Sequence, residues 1–247
     1  MENQFLNITI YSMLAGLSTV AGIYLVLKKE AWAVKNSVFL ISFSGGVVLT
    51  AAFVNILPEA MEINADSLNY VLITLITFYI IEHAVMIHSC PEGGCESHPI
   101  GWLSFLGIGF HSILDGVAIG AGFEASFSLG IVATIGVLLH ELPEGITITS
   151  ILLHEGFSRK KTVFLSWIVA AATPIGAIGS YFFLTDISKE ALGFFLAVAA
   201  GSFIYVGASD LLPETHKNSS KKNILSVISG ALLIYLVGHF IAGNGGH

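Results

Sequence analysis

His111-Ser112-Ile113-Leu114-Asp115-Gly116 and His140-Glu141-Leu142-Pro143-Glu144-Gly145 both lie near the middle of apolar runs long enough to cross a membrane. A carboxylate at the centre of a spanning helix costs roughly 2.5–3.5 kcal/mol on insertion scales. Three carboxylates and two imidazoles in neighbouring spans therefore require compensation. Residues three or four apart share a helix face. His111, Ser112 and Asp115 line one face, and His140, Glu141 and Glu144 line another. Faces of this kind, brought together, make a cage of nitrogen and oxygen donors for a divalent metal ion inside the bilayer.

Composition sets the class around these motifs. Hydrophobic residues make up 54% of the 247 and charged residues 11%. A soluble domain carries about 25% charged residues, so the chain reads as an all-α polytopic membrane protein, one transmembrane domain over residues 1–247. Lys and Arg total 10 and sit in short connectors, which excludes nucleic-acid binding. Residues 1–10 lack a basic n-region, so the first apolar run is expected to remain as a helix. Cys90 and Cys95 share one polar connector and imply no disulfide framework.

Apolar runs of about 20 residues give eight spans at approximately 5–27, 36–60, 68–89, 100–122, 127–152, 162–184, 190–212 and 224–243. Lys28, Lys29 and Lys35 follow span one, Arg159, Lys160 and Lys161 follow span five, and Lys217, Lys221 and Lys222 follow span seven. These connectors share one side, and Lys189 is the basic residue opposite. The positive-inside rule makes the basic side cytoplasmic and puts both termini outside. His111 then lies roughly 16 Å from the inner end of span four and His140 roughly 20 Å from the outer end of span five. Both motifs fall near the midplane. A weak inverted repeat is also present: span two ends in Asn55-Ile56-Leu57-Pro58-Glu59 and span seven in Asp210-Leu211-Leu212-Pro213-Glu214, at opposite faces, as in transporters built from oppositely oriented halves.

The paired motifs resemble those of the ZIP (Zrt/Irt-like) family of divalent-metal transporters. In that family span four carries His-Asn/Ser-x-x-Asp/Glu-Gly and span five His-x-x-Pro-His/Glu. Gly46 to Phe53, leading to Leu57-Pro58-Glu59, also resembles the family's second span. The resemblance implies a ZIP-like fold of eight spans and a compact prokaryotic-type member in the plasma (inner) membrane. It implies transport of metal into the cytoplasm, with spans one, four, five and six as a transport bundle and spans two, three, seven and eight as a scaffold. By motif position the primary ligands are His111, Asp115, His140 and Glu144. A second site would use Ser112, Asp115, Glu141 and Glu144. Ser112 stands where many members have Asn, Thr173 where some have Glu, and Val48 where some have Met. The second site is therefore expected to be weakened.

Two imidazoles and two carboxylates suit Zn, Fe(II), Mn, Co and Cd alike, with geometry rather than ligand type to choose among them, and the resemblance points to zinc first; Cu(I) lacks a thiolate and no organic cofactor is implied. Ligands must shed protons to bind metal, so low pH should weaken uptake. Pro143 leaves the carbonyl of Leu139 without its helical partner. Gly107, Gly109, Gly116, Gly120 and Gly122 should let another helix approach span four closely. Glu82 and His83 read as a structural polar contact or a release station, and Asp210 with Glu214 as an exit station or a solvated helix end. Glu59 could attract cations at the outer mouth, and the lone His239 reads as structural. The connector from His88 to His98, with Cys90 and Cys95, is rich in ligand atoms and favours transient metal binding. Expected partners are metal ions, the lipid bilayer and, as an option, a second copy in a homodimer. The competing reading is an intramembrane zinc protease. His140-Glu141-x-x-Glu144 approximates His-Glu-x-x-His with Glu141 as general base, and Leu114-Asp115-Gly116 resembles the Leu-Asp-Gly of site-2-type proteases. The second His is missing, however, and the order of the two motifs is reversed. A sensor with a structural metal ranks last, because the connectors hold no signalling domain.

Overall fold

The computed structural model of the chain describes residues 2–87, 99–184, 187–216 and 220–244. These are helical almost throughout: α1 Glu2–Thr50, a π-helical segment Ala51–Ile56, α2 Leu57–Ile63, α3 Ser67–Ile87, α4 Pro99–Ala125, α5 Phe127–His154, α6 Arg159–Leu184, α7 Lys189–Tyr205, a second π-helical segment Val206–Leu211, α8 Leu212–His216 and α9 Lys221–Asn244. Seven helical runs are long and apolar enough to cross a membrane, and α3 supplies a shorter apolar stretch, Ser67–Ile81. They fall on the eight expected runs, with the first extending to Ala33 rather than 27 and the apolar stretch of the third ending at Ile81 rather than 89.

The junction of spans one and two differs from expectation. Helical hydrogen bonding runs through the expected 28–35 connector, interrupted at Lys29 by non-helical backbone (φ −142°, ψ 50°). Thr19 and Ser44 nevertheless both touch α5 within residues 139–145. A straight helix would hold them about 38 Å apart, so the chain folds back at Lys29. Arg159 at the start of α6 donates to the Leu27 carbonyl at 2.8 Å, satisfying backbone next to the break.

The two Leu-Pro-Glu triplets share a local structure. Each follows a six-residue π-helical segment, and in each the leucine N–H reaches five residues back, Leu57 to the Ala52 carbonyl and Leu212 to the Gly207 carbonyl. The next residue, Pro58 or Pro213, brings no N–H and crowds the carbonyl four residues behind it; a widened turn accommodates that locally. The inverted repeat thus extends from sequence to backbone geometry.

Glycine-mediated contacts fall into two sets, residues 2–28 of α1 with α4, α5 and α6, and residues 30–50 of α1 with α2, α3, α7, α8 and α9, although Ala33 also packs in one cluster with Ile146 of α5 and Ser44 bonds to α5. Small residues let spanning helices approach closely. A Cβ on Gly116 would lie 2.1 Å from the Thr173 carbonyl oxygen and one on Gly176 2.1 Å from that of Ile113, so α4 and α6 touch backbone to backbone. Gly145 and Gly22 lock α5 to α1 at 2.2 and 2.3 Å in the same way. In the other set a Cβ on Gly46 would likewise collide with the Val227 carbonyl, and one on Gly230 with that of Phe43. Among the described residues, each glycine whose Cβ would come closer than 3.0 Å to another element meets a member of its own set. Between the sets contacts are looser: Gly136 of α5 faces Phe203 and Ala51 at 3.3 and 3.5 Å. Of the span-four glycines, Gly116, Gly120 and Gly122 make close approaches, but Gly107 has open space around it and Gly109 only Val169 at 4.0 Å.

Gly176→Val should therefore separate α4 from α6 and cost about 1–3 kcal/mol or more, seen as a fall of several degrees in the thermal midpoint of the detergent-solubilised protein. Gly107→Ala, placed in open space, should leave that midpoint unchanged or raise it slightly. Equal effects would contradict the packing.

Candidate metal centre

The site forms where α4 and α5 cross. His111 and Asp115 lie one turn apart on α4, and His140 and Glu144 one turn apart on α5. One ligand atom from each of the four comes within 4.8 Å of all the others, and among the described residues no other group of three or more His, Cys, Asp or Glu side chains converges so. Asp115 is central. Its Oδ2 lies 2.9 Å from His140 Nε2 and 3.1 Å from His111 Nε2, and its side chain is 0% exposed. Glu144 Oε2 stands 3.9 Å from His111 Nε2.

The surroundings orient the two imidazoles unequally. His140 Nδ1 is 2.9 Å from the Gly136 carbonyl, an acceptor, so Nδ1 carries the proton and Nε2 presents its lone pair to the cage. Phe203 of α7 packs edge-on against the same ring at 5.9 Å. Both ring nitrogens of His111 and Oδ1 of Asp115 are buried without a hydrogen-bond partner. Buried polar atoms are rarely left so. Two carboxylates beside two imidazoles, one ligand atom of each within 4.8 Å of the others, are chemically suited to a divalent cation, zinc among them.

Ser112 and Glu141, the remaining predicted site residues, sit beside this cluster. Ser112 Oγ donates its single proton to the Glu144 Oε1 at 2.7 Å or to the Ile108 carbonyl at 3.0 Å, so it braces a ligand. Glu141 is fully buried and turned toward α1 and α6. Thr173 donates to its Oε1 at 2.5 Å and Thr19 to its Oε2. Both carboxylate oxygens are thereby engaged by hydroxyl groups, and three helices are tied at one acid.

Thr19, Ser44 and Phe203 went unnoticed in the sequence, because a lone hydroxyl or phenyl in an apolar span has no spacing signal. Ser44 has a definite task. Its hydroxyl donates at 2.8 Å to the Leu139 carbonyl, the group that Pro143 deprives of its helical donor. The secondary candidates lie elsewhere. His83 is exposed, with Nδ1 3.1 Å from the Tyr79 carbonyl. Glu59 and Glu214 are half-buried, and Asp210 and His239 are exposed. Val48 is fully buried. The readings on the Glu82 side chain and on the His88–His98 connector fall outside the described residues.

Comparison with known proteins places this geometry in a family. The family described as ZIP zinc transporter matches residues 87–238. Zinc transporter zipt-7.2 of Caenorhabditis elegans is 36% identical over 136 residues, covering 51% of this chain and 29% of the relative. Zinc transporter foi of Drosophila melanogaster is 32% identical over 156 residues, 61% of this chain and 21% of the relative. Zinc transporter SLC39A7 of Homo sapiens is 32% identical over 161 residues, 59% of this chain and 33% of the relative. The matched region thus spans a fifth to a third of these relatives, and their animal sources lend no support to a prokaryotic-type assignment. The protease resemblance is set aside by the same matches, since they are named as transporters and not as enzymes. The family match covers more than half of an apolar, multi-helical chain whose His/carboxylate cluster stands on its two most diagnostic motifs: this is an integral membrane protein of the ZIP zinc transporter family.

Proposed function

We propose that the protein moves divalent metal ions, zinc foremost, across a membrane into the cytoplasm, with His111, Asp115, His140 and Glu144 holding the ion in transit. The convergence of these four side chains at the α4–α5 crossing carries the reading. Two imidazole nitrogens and two carboxylate oxygens replace the hydration shell of a tetrahedral ion and neutralise its charge in a medium where neither water nor a counter-ion is at hand. Iron(II), manganese, cobalt and cadmium accept the same donors, and their ranking is a matter of geometry and supply.

The second metal position is weak in this reading. Glu141 already receives two hydroxyl hydrogen bonds, and Thr173 and Ser112 bring no charge of their own. The protein therefore works with one tightly held ion. Spans one, four, five and six move as a unit past spans two, three, seven and eight, a division supported by glycine contacts that lock helices within each set. The cell membrane is the proposed site, with both termini outside and the 88–98 connector inside, on the strength of the Lys and Arg distribution. Assembly into a homodimer belongs to the same reading, and the mass of the protein in nanodiscs reads it directly.

Asp115→Ala and Glu144→Ala are each expected to lower zinc uptake into proteoliposomes at least about 100-fold, while the protein remains folded by size-exclusion chromatography. Uptake near the unaltered level in either variant would defeat the ligand assignment. Calorimetry should count one tight zinc per chain, and Thr173→Glu should add a second without abolishing the first; two equally tight ions in the unaltered protein would refute the weakened second position.

Removal of one clamp on Glu141, by Thr173→Val, should lower the thermal midpoint by the cost of a lost bond to a charged group, about 1.5–3 kcal/mol, and leave the zinc count at one. For the orientation, an impermeant maleimide should reach Cys90 and Cys95 only after cells are opened; rapid labelling of intact cells would reverse the topology.

A further inference from the structure

The two sets of helices meet along α4 and α5, and on α5 the contacts include side-chain packing, as where Gly136 faces Phe203 and Ala51 and the His140 ring meets Phe203. The Ser44 hydroxyl is different: it reaches from the second span across to the Leu139 carbonyl, one residue before a metal-site histidine. A spanning helix must satisfy every backbone polar group, and Pro143 removes the donor that Leu139 would have used. The adjacent Leu138 carbonyl receives a hydroxyl too, from Ser18 at 2.7 Å, but Ser18 belongs to the same set as α5. Two neighbouring carbonyls are thus held from opposite sides, one from within the bundle and one from outside it.

Ser44 is fixed in its own set. Its neighbour Phe43 offers its carbonyl to the close approach of Gly230, and Gly46 packs backbone to backbone on Val227. Ser44 itself is 1% exposed, so its hydroxyl has no water to turn to. Relative movement of the sets must break the Ser44–Leu139 bond and can leave the Ser18–Leu138 bond intact.

We infer that Ser44 is a positioning residue of the transport site: its bond to the Leu139 carbonyl latches α5 to the neighbouring set in the conformation seen here, and it is made and broken once in each transport cycle. The inference rests on the transporter reading for its cycle, but the latch can be measured without any flux. In a hydroxyl-to-methyl comparison the loss of one buried hydrogen bond shifts a two-state balance about two- to tenfold.

The test uses the full chain with Cys90→Ser and Cys95→Ser. Ala51→Cys and Gly136→Cys are added as a reporter pair, since their Cβ atoms would lie 3.5 Å apart across the interface, within disulfide reach. Ser44→Ala should lower the initial rate of oxidative cross-linking about two- to tenfold, Ser44→Thr should retain it, and zinc affinity by calorimetry should stay within about twofold. Pro143→Ala returns an N–H to the Leu139 carbonyl, so in that background Ser44→Ala should change cross-linking less than about twofold. Unchanged cross-linking in Ser44→Ala, or an equally large effect with Pro143→Ala, overturns the latch. A wild-type protein that carries no zinc in proteoliposomes overturns the transport reading instead, and the dependence of cross-linking on Ser44 is read separately from it.

Discussion

Asp115 is buried completely and touches both imidazoles of the cage. An acid in that position can persist only if its surroundings supply positive charge or donors, because the bilayer supplies neither. Much of the molecule follows from this. α4 and α5 must cross at that depth for His140 to reach Asp115. Ser112 braces Glu144, the Gly136 carbonyl holds Nδ1 of His140, and two threonine hydroxyls engage both oxygens of Glu141. Asp115 Oδ1 and His111 Nδ1 are left without a hydrogen-bond partner, which suits the cation proposed for the cage.

Holding such a cage in register takes rigid neighbours. Backbone contact through glycine supplies them, since helices that touch without intervening side chains have little room to tilt or slide. The same device is used twice, once around the site and once in the set beside it, and the surface between the two sets carries side-chain contacts instead. Stiff bodies with a softer seam are what the proposed transport would use to turn one site toward two compartments.

Proline contributes by subtraction. Pro58 and Pro213 each stand two residues beyond a π-helical segment, just after the leucine whose N–H reaches back five residues. Pro143 acts within α5, where the freed carbonyl is taken by Ser44 from the opposite set. In lipid a missing N–H is never local, because the group left behind recruits a donor from whatever lies alongside.

The apolar spans and the convergence of His111, Asp115, His140 and Glu144 were legible in the sequence, since hydropathy and a four-residue period are properties of one segment at a time. The inverted repeat was faintly legible in two Leu-Pro-Glu triplets, though their shared π-helical geometry was not. Spacing also put Glu141 on the ligand face of α5, where it could equally have served a second ion. Only the fold decided that Thr19 and Thr173 engage it, because those hydroxyls come from helices 122 and 32 residues away. The same holds for Ser44, for Phe203 against His140, and for the division of one long α1 between two sets of helices. Periodicity tells which side of a helix is polar; which neighbour that side meets depends on how closely backbones approach, and that is settled in three dimensions by glycines whose partners lie far along the chain.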